Sequence, residues 1–175
     1  MRYSYLLGMV RKHQPRAILE VGTWNGRRAL EMLMASPDSK YYGFDLFEDA
    51  SRVTDEEEKN VKPHYTLRSV KAYLDGFDVE LHKGNTRETL AKFDKPVDFV
   101  WLDGGHSVET IRSDWDNVRR CLLPGAVVLF DDYYIDIDTE KYGCNAIVRD
   151  LKHEVIDLAD PVSGGGWVKI VRVFP

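Results

Sequence analysis

Apolar runs of five or six residues recur along this chain, separated by stretches whose apolar residues fall at helical spacing. Five runs read as buried strands, at 17–21, 41–45, 78–82, 97–102 and 126–130. The run VDFVWL at 97–102 is more apolar than those before it, so it belongs at the centre of a sheet. Between the runs lie helical patterns. Leu6, Leu7, Met9 and Val10 give residues 1–14 an amphipathic helix that stops near Pro15. Ala29, Leu30, Leu33 and Met34 do the same over 27–35, and Ser36-Pro37-Asp38 ends that helix. Residues 66–74 look helical, and Thr86 can cap a helix running to Phe93. Ser107 caps a helix with the core stripe Val108, Ile111, Trp115, Val118 and Leu122, stopped by Pro124-Gly125. Residues 145–153 read as a last helix. Runs at 154–158 and 167–173, joined by a short glycine-rich connection, read as an antiparallel hairpin. Five strands alternating with helices, closed by a hairpin, make an α/β protein with no repeat and no linker. A single domain over 1–175 follows. The polar, acidic segment 46–64 is long for a connection and suits a lid or an added helix over a site. The aromatic and acidic stretch 133–142 reads as a loop, and the glycines at 164–166 as a hairpin tip.

Composition narrows the class without changing this picture. The chain has 175 residues, 43% hydrophobic and 30% charged, with a formal charge of -5 and a pI near 5.5. That balance disfavours a broad nucleic-acid footprint. Cys121 and Cys144 lie in different contexts and read as two reduced thiols, one half-buried on a helix. No signal-peptide pattern and no apolar run of membrane length occurs, so the expected compartment is the cytoplasm, with no membrane partner. The oligomeric state is left open, a homodimer being the assembly to test.

The candidate chemistry gathers at strand ends. The run 17–21 leads through Glu20 into the turn Gly22-Thr23-Trp24-Asn25-Gly26 and then a helix, a layout that lets backbone approach a ligand and offers unpaired N–H groups. The spacing Gly-x-x-x-Gly is not that of dinucleotide enzymes. Asp45 follows Gly22 by 23 residues and ends the next strand, where its carboxylate can accept both ribose hydroxyls of a nucleoside. The plainer reading is a helix cap or a solvated loop acid. Asn85 falls at the same edge. Asp103 and the pair Asp131-Asp132 end two further strands. In an open α/β sheet ligands bind beyond the carboxyl ends, so these groups converge on one edge. His106 opens a helix three residues after Asp103; it suits a general base or a hydrogen-bonded loop residue. No Ser-His-Asp or Cys-His arrangement is present.

On LEVGTWNG, LDGGHSVE and VVLFDDYY the chain resembles the class I S-adenosylmethionine-dependent methyltransferases, more narrowly the macrocin-type and, more distantly, the catechol-type small-molecule O-methyltransferases. The resemblance runs from Ala17 to the last hairpin. It implies a Rossmann-like, doubly wound seven-stranded sheet, order 3-2-1-4-5-7-6, with strand seven antiparallel. It implies that Glu20, Gly22, Thr23, Trp24, Asn25 and Gly26 hold the methionine end of S-adenosyl-L-methionine, that Asp45 with Leu46 takes the ribose, and that Gly84 and Asn85 border the adenine. Asp103 and His106 are then the candidate catalytic residues and a small-molecule hydroxyl the acceptor. Asp103, Asp131 and Asp132 would repel one another if left bare. A divalent cation, Mg²⁺ or Mn²⁺, offsets that repulsion and would hold the acceptor hydroxyl; metal-dependent members of the resembling family place acids at corresponding positions. The alternative is that Asp131-Asp132 caps a loop and Asp103 stabilises the sulfonium. Competing functions are a methyltransferase acting on nucleic acid or protein, a nicotinamide-dependent dehydrogenase, and a non-catalytic binding domain. The glycine spacing and the antiparallel last strand argue against the dehydrogenase.

Overall fold

The computed structural model describes residues 2–60, 62–136, 143–163 and 165–175. In chain order the elements are α1 (Tyr3–His13), β1 (Ala17–Val21), α2 (Arg27–Ala35), β2 (Lys40–Asp45), α3 (Arg52–Glu58), α4 (Leu67–Tyr73), β3 (Val79–Lys83), α5 (Thr86–Thr89), β4 (Val97–Leu102), α6 (Val108–Val118), β5 (Leu122–Ile135), α7 (Gly143–Val148), β6 (His153–Pro161) and β7 (Trp167–Val173). The strands form one seven-stranded sheet in the order β3-β2-β1-β4-β5-β7-β6. Strands β1 to β5 pair in parallel, and β7 is antiparallel to both its neighbours. The order expected from the sequence is therefore observed. It reverses between β1 and β4, which opens a crevice at their carboxyl ends.

Period-two alternation explains why the central strands are apolar throughout. On β4, Val100 and Leu102 join the core on one face while Phe99 and Trp101 join the other. Val128 and Phe130 of β5 split from Val127 and Leu129 in the same way. Both faces are covered, by Trp115, Val118 and Ile147 on one side and by Leu6, Val10, Met32 and Leu33 on the other. Each large side chain buried this way contributes roughly 1.5–3 kcal/mol. Gly22 marks where the sheet is tightest. A Cβ there would lie 2.0 Å from the Asp103 carbonyl oxygen, and its φ is +90°, so only glycine lets β1 turn beside β4.

Several local expectations are corrected. Asn85, not Thr86, caps α5, its side chain accepting the Arg87 N–H at 3.0 Å; α5 ends at Thr89 and a 3-10 turn carries the chain to Lys92. The stripe on α6 stops at Val118, and Leu122 belongs to β5, because a 3-10 turn over 119–121 breaks the helical period. Strand β5 runs well past Phe130 to Ile135, since β7 supplies its edge with partners. The last helix is shorter and earlier than residues 145–153. Both cysteines are free and buried. The rest of the expected 133–142 loop, 137–142, and Gly164 of the hairpin tip lie outside the described residues. No helix among the described residues is long and apolar enough to cross a membrane.

Candidate functional site

The turn after β1 is fastened to the tip of β2. The Gly22 N–H donates to the Phe44 carbonyl at 2.8 Å and the Trp24 N–H to Asp45 Oδ2 at 2.7 Å. Asp45 Oδ1 accepts the Phe47 N–H at 2.8 Å. Asp45 is thus oriented by two backbone donors, each oxygen keeping a lone pair. Behind the turn, the buried Glu20 accepts a hydrogen bond from the Tyr41 hydroxyl, which also meets Thr23 Oγ1 at 3.2 Å. Burial pushes the Glu20 carboxyl up to about 8, against the pull of Tyr41 and Arg28. Its other oxygen, Oε1, is buried without a hydrogen-bond partner. Glu20 props the turn from beneath.

A cavity of about 420 Å³ opens beyond the carboxyl ends of β1, β2 and β4. Gly22, Thr23, Trp24 and Asn25 form one wall, with Asp45 and Leu46 beside them and Asn85 at the far end. Asp103, Gly104, Gly105 and His106 line it next to the turn, Gly22 lying against the Asp103 carbonyl. The sequence-derived candidates are brought together in part: Glu20, Gly26 and Gly84 lie outside the cavity lining, and Asp131 and Asp132 line a separate small void with Asp103 and His106. Further residues complete the site. Tyr3 and Arg28 close one side, and Glu58, Asn60, Lys62 and His64 come from the 46–64 segment.

Residues of that segment line the cavity, and hydrogen bonds fasten the segment in place. Glu58 at the end of α3 accepts the Ser107 N–H at 2.9 Å, the Ser107 hydroxyl at 3.1 Å and the Thr110 hydroxyl at 2.5 Å. Trp24 Nε1 donates to the Pro63 carbonyl at 2.7 Å. His64 meets Asp55 at 2.8 Å. Helix α3 itself buries no residue; a capping box between Ser51 and Thr54 starts it, and polar latches hold it.

The acids at the ends of β4 and β5 each have a distinct environment. On β5, Asp131 and Asp132 together face the single residue Ile170 of β7, between the pairs Phe130–Val171 and Tyr133–Lys169. Asp132 has φ +58°. This bulge lets two consecutive acids meet one cation, where a regular pleat would send them to opposite faces. The cation is Arg2, whose Nε lies 2.6 Å from Asp131 Oδ1 and whose Nη2 lies 3.6 Å from Asp132 Oδ1. Asp132 Oδ2 meets His106 Nε2 at 2.8 Å, and His106 Nδ1 meets the Glu58 carbonyl at 2.7 Å. Both ring nitrogens face acceptors. Burial opposes the charge on His106, yet Asp132 and the Glu58 carbonyl outweigh it and raise its pKa. Burial likewise opposes ionisation of Asp132, and His106 with Arg2 more than offsets it, so that pKa is lowered. Among the described residues Asp103 has no such partner: burial, then the charges of Asp131 and Asp132, push its carboxyl well above the usual range.

These residues do not fit the divalent cation expected at Asp103, Asp131 and Asp132. Both oxygens of Asp131 are taken by Arg2, with the Tyr3 hydroxyl on one of them at 2.9 Å. The one small void that all three acids line, together with Ile111, Phe130 and others, is about 10 Å³, the room of one water-sized sphere. Among the described residues no group of three or more His, Cys, Asp or Glu side chains could hold a metal ion.

A family model described as a methyltransferase domain matches residues 19–133. No curated protein matches the chain. Among solved structures, the chain is similar to TomG, an O-methyltransferase of tomaymycin synthesis from Streptomyces achromogenes determined with SAM. The identity is 21% over 97% of this chain and 77% of that one, with TM-score 0.67. An O-methyltransferase from Bacillus cereus in complex with SAH is 19% identical over 98% and 79%, TM-score 0.65. The ribosomal protein L11 methylase from Lactobacillus delbrueckii subsp. bulgaricus is 16% identical over 98% and 79%, TM-score 0.60. At these identities the likeness establishes the fold. With the match covering well over half of its length, including the turn, Asp45, the 46–64 segment and both acid-bearing strand ends, the chain belongs to the methyltransferase domain family.

Proposed function

We propose that the chain transfers a methyl group from S-adenosylmethionine to a hydroxyl of a small molecule. The observation that carries this reading is the cavity beyond β1, β2 and β4, walled by the turn over 22–25 and by Asp45, inside the segment matched as a methyltransferase domain. The residues suit the cofactor by their donor chemistry. Asp45, already oriented by Trp24 and Phe47, has lone pairs left for ribose hydroxyls. Asn85 edges the cavity where a base would extend, and Asp103 offers a carboxylate to a cationic group. The bound cofactor supplies an activated methyl on a sulfonium. What remains for the chain is alignment and exclusion of water. Gly104 lets the end of β4 lie against Val21 and Gly105 leaves room for the Glu58 carboxylate, since a Cβ would come within 2.7 Å of Val21 and 2.4 Å of Glu58. Residues from α3 to His64 would cover the bound cofactor as a lid. His106 takes the acceptor's proton once it has lost its own and its ring has turned a nitrogen away from Asp132 or the Glu58 carbonyl. The TomG and Bacillus cereus structures, determined with SAM and SAH, support the cofactor. The formal charge of -5 supports a small acceptor over nucleic acid, and the two free thiols fit a cytoplasmic setting.

The test is calorimetric titration with S-adenosylmethionine, S-adenosylhomocysteine and NAD, followed by transfer of a labelled methyl group to panels of hydroxyl, amine and RNA acceptors. We expect both sulfur nucleosides to bind, NAD not to, and label to enter hydroxyl compounds as ethers. Preference for NAD overturns the reading; label entering only amines or RNA overturns the acceptor.

A further inference from the structure

We infer that Arg2 stands in the place of a divalent cation, so that the chain supplies from its own sequence the counter-charge of its acidic sheet edge and binds neither Mg²⁺ nor Mn²⁺ there. The guanidinium meets Asp131 fork to fork, Nε to Oδ1 at 2.6 Å and Nη2 to Oδ2 at 3.0 Å. Its Nη1 donates to Asp160 Oδ2 at 3.1 Å, and the Arg2 backbone N–H reaches the same oxygen at 3.3 Å. Asp132 Oδ1 lies 3.6 Å away. Three carboxylates from β5 and β6 therefore surround one fixed positive charge.

A metal could not simply be added. A dication bound to Asp131 would sit within roughly 5 Å of the guanidinium, and two like charges that close repel. Nor is Arg2 loosely placed. Its side chain is 12% exposed, it lies 4.4 Å from the Tyr3 ring centroid, and it leads directly into α1, which the buried Leu6 and Val10 pin to the sheet. A guanidinium has no open coordination position, so Arg2 is a positioning residue. It neutralises Asp131 and draws Asp132 to the side where Asp132 holds His106.

Mn²⁺ binding to the whole chain, read by electron paramagnetic resonance and repeated calorimetrically with Mg²⁺, tests this without turnover or acceptor and so independently of the proposed reaction. Wild type is expected to show no saturable site in the micromolar range, and its melting temperature to be unchanged by Mg²⁺, Mn²⁺ or chelator. Arg2→Ala is expected to gain one Mn²⁺ site, at least tenfold tighter than any wild-type binding, and to lose it again when Asp131→Asn is added. Arg2→Lys, which keeps the charge, is expected to stay metal-free. One-to-one binding by wild type that Asp131→Asn abolishes overturns the inference, as does a folded Arg2→Ala that takes up no Mn²⁺. The wild-type arm decides the matter even if Arg2→Ala does not fold.

Discussion

His106 and Asp132 show how a side chain's setting fixes what it can do. The sequence left His106 as either a base or a loop residue, and the structure gives each ring nitrogen an acceptor, Asp132 on one side and the Glu58 carbonyl on the other. An acceptor on each ring nitrogen favours the charged imidazolium, and Asp132 raises its pKa. A base must first lose that proton, so methyl transfer is expected to rise with pH through the raised His106 pKa. Asp132→Asn removes the main cause of the elevation and leaves the burial that opposes charge. The rising limb of the pH–rate profile should then move to lower pH, below the ordinary histidine value near 6.5. A limb that stays in place in Asp132→Asn, or that survives in His106→Ala, removes His106 from the proton transfer.

At the level of elements, α3 depends on contacts outside itself. It has seven residues, none buried, and so contributes little to the stability of the fold. Glu58 fastens its end to the start of α6 with three hydrogen bonds. Hydrogen bonds to a charged group are each worth about 1.5–3 kcal/mol. Glu58→Ala is therefore expected to weaken S-adenosylhomocysteine binding roughly tenfold or more and to raise amide exchange across 52–64, while the melting temperature moves little. Unchanged exchange over 52–64 would show that Trp24 and Pro63 hold the segment without Glu58. The sequence marked 46–64 as a lid or an added helix by its length. It could not give the latch, because Glu58 and Ser107 are 49 residues apart and nothing in the acidic run 55–58 distinguishes one glutamate from its neighbours.

On the scale of the whole molecule, the sheet collects acids at one edge, and not all can be ionised together. Burial holds the Glu20 carboxyl up to about 8 and lifts Asp103 well above its usual range. A positive ligand beside them favours the ionised forms, so its binding releases protons and strengthens as pH rises. S-adenosylmethionine is therefore expected to release more protons than the uncharged sulfide S-adenosylhomocysteine when both are titrated near pH 7 in buffers of different ionisation enthalpy. Its relative affinity should grow with pH. Equal proton release by the two would mean that no buried acid of this edge senses the sulfonium.

Local patterning was sufficient for the elements of the sheet. Five apolar runs, their helical spacers and the final alternating hairpin give a parallel sheet with 97–102 at its centre, because a two-faced apolar strand must be covered on both sides; the full strand order was implied only by the family resemblance. The same logic placed the turn at 22–26, Asp45, Asp103 and His106 at one edge, since strand ends in such a sheet share it. Tertiary structure decided what those groups do. Glu20 points beneath the turn because Tyr41, from the neighbouring strand, donates to it. Asp131 and Asp132 look in the sequence like two arms of a metal site. They fall instead to an arginine 129 residues away in the chain, brought there when α1 docks on the sheet, and to a histidine. Charge pairing between distant segments leaves no local pattern, so which cation those acids hold could be decided only by the folded chain.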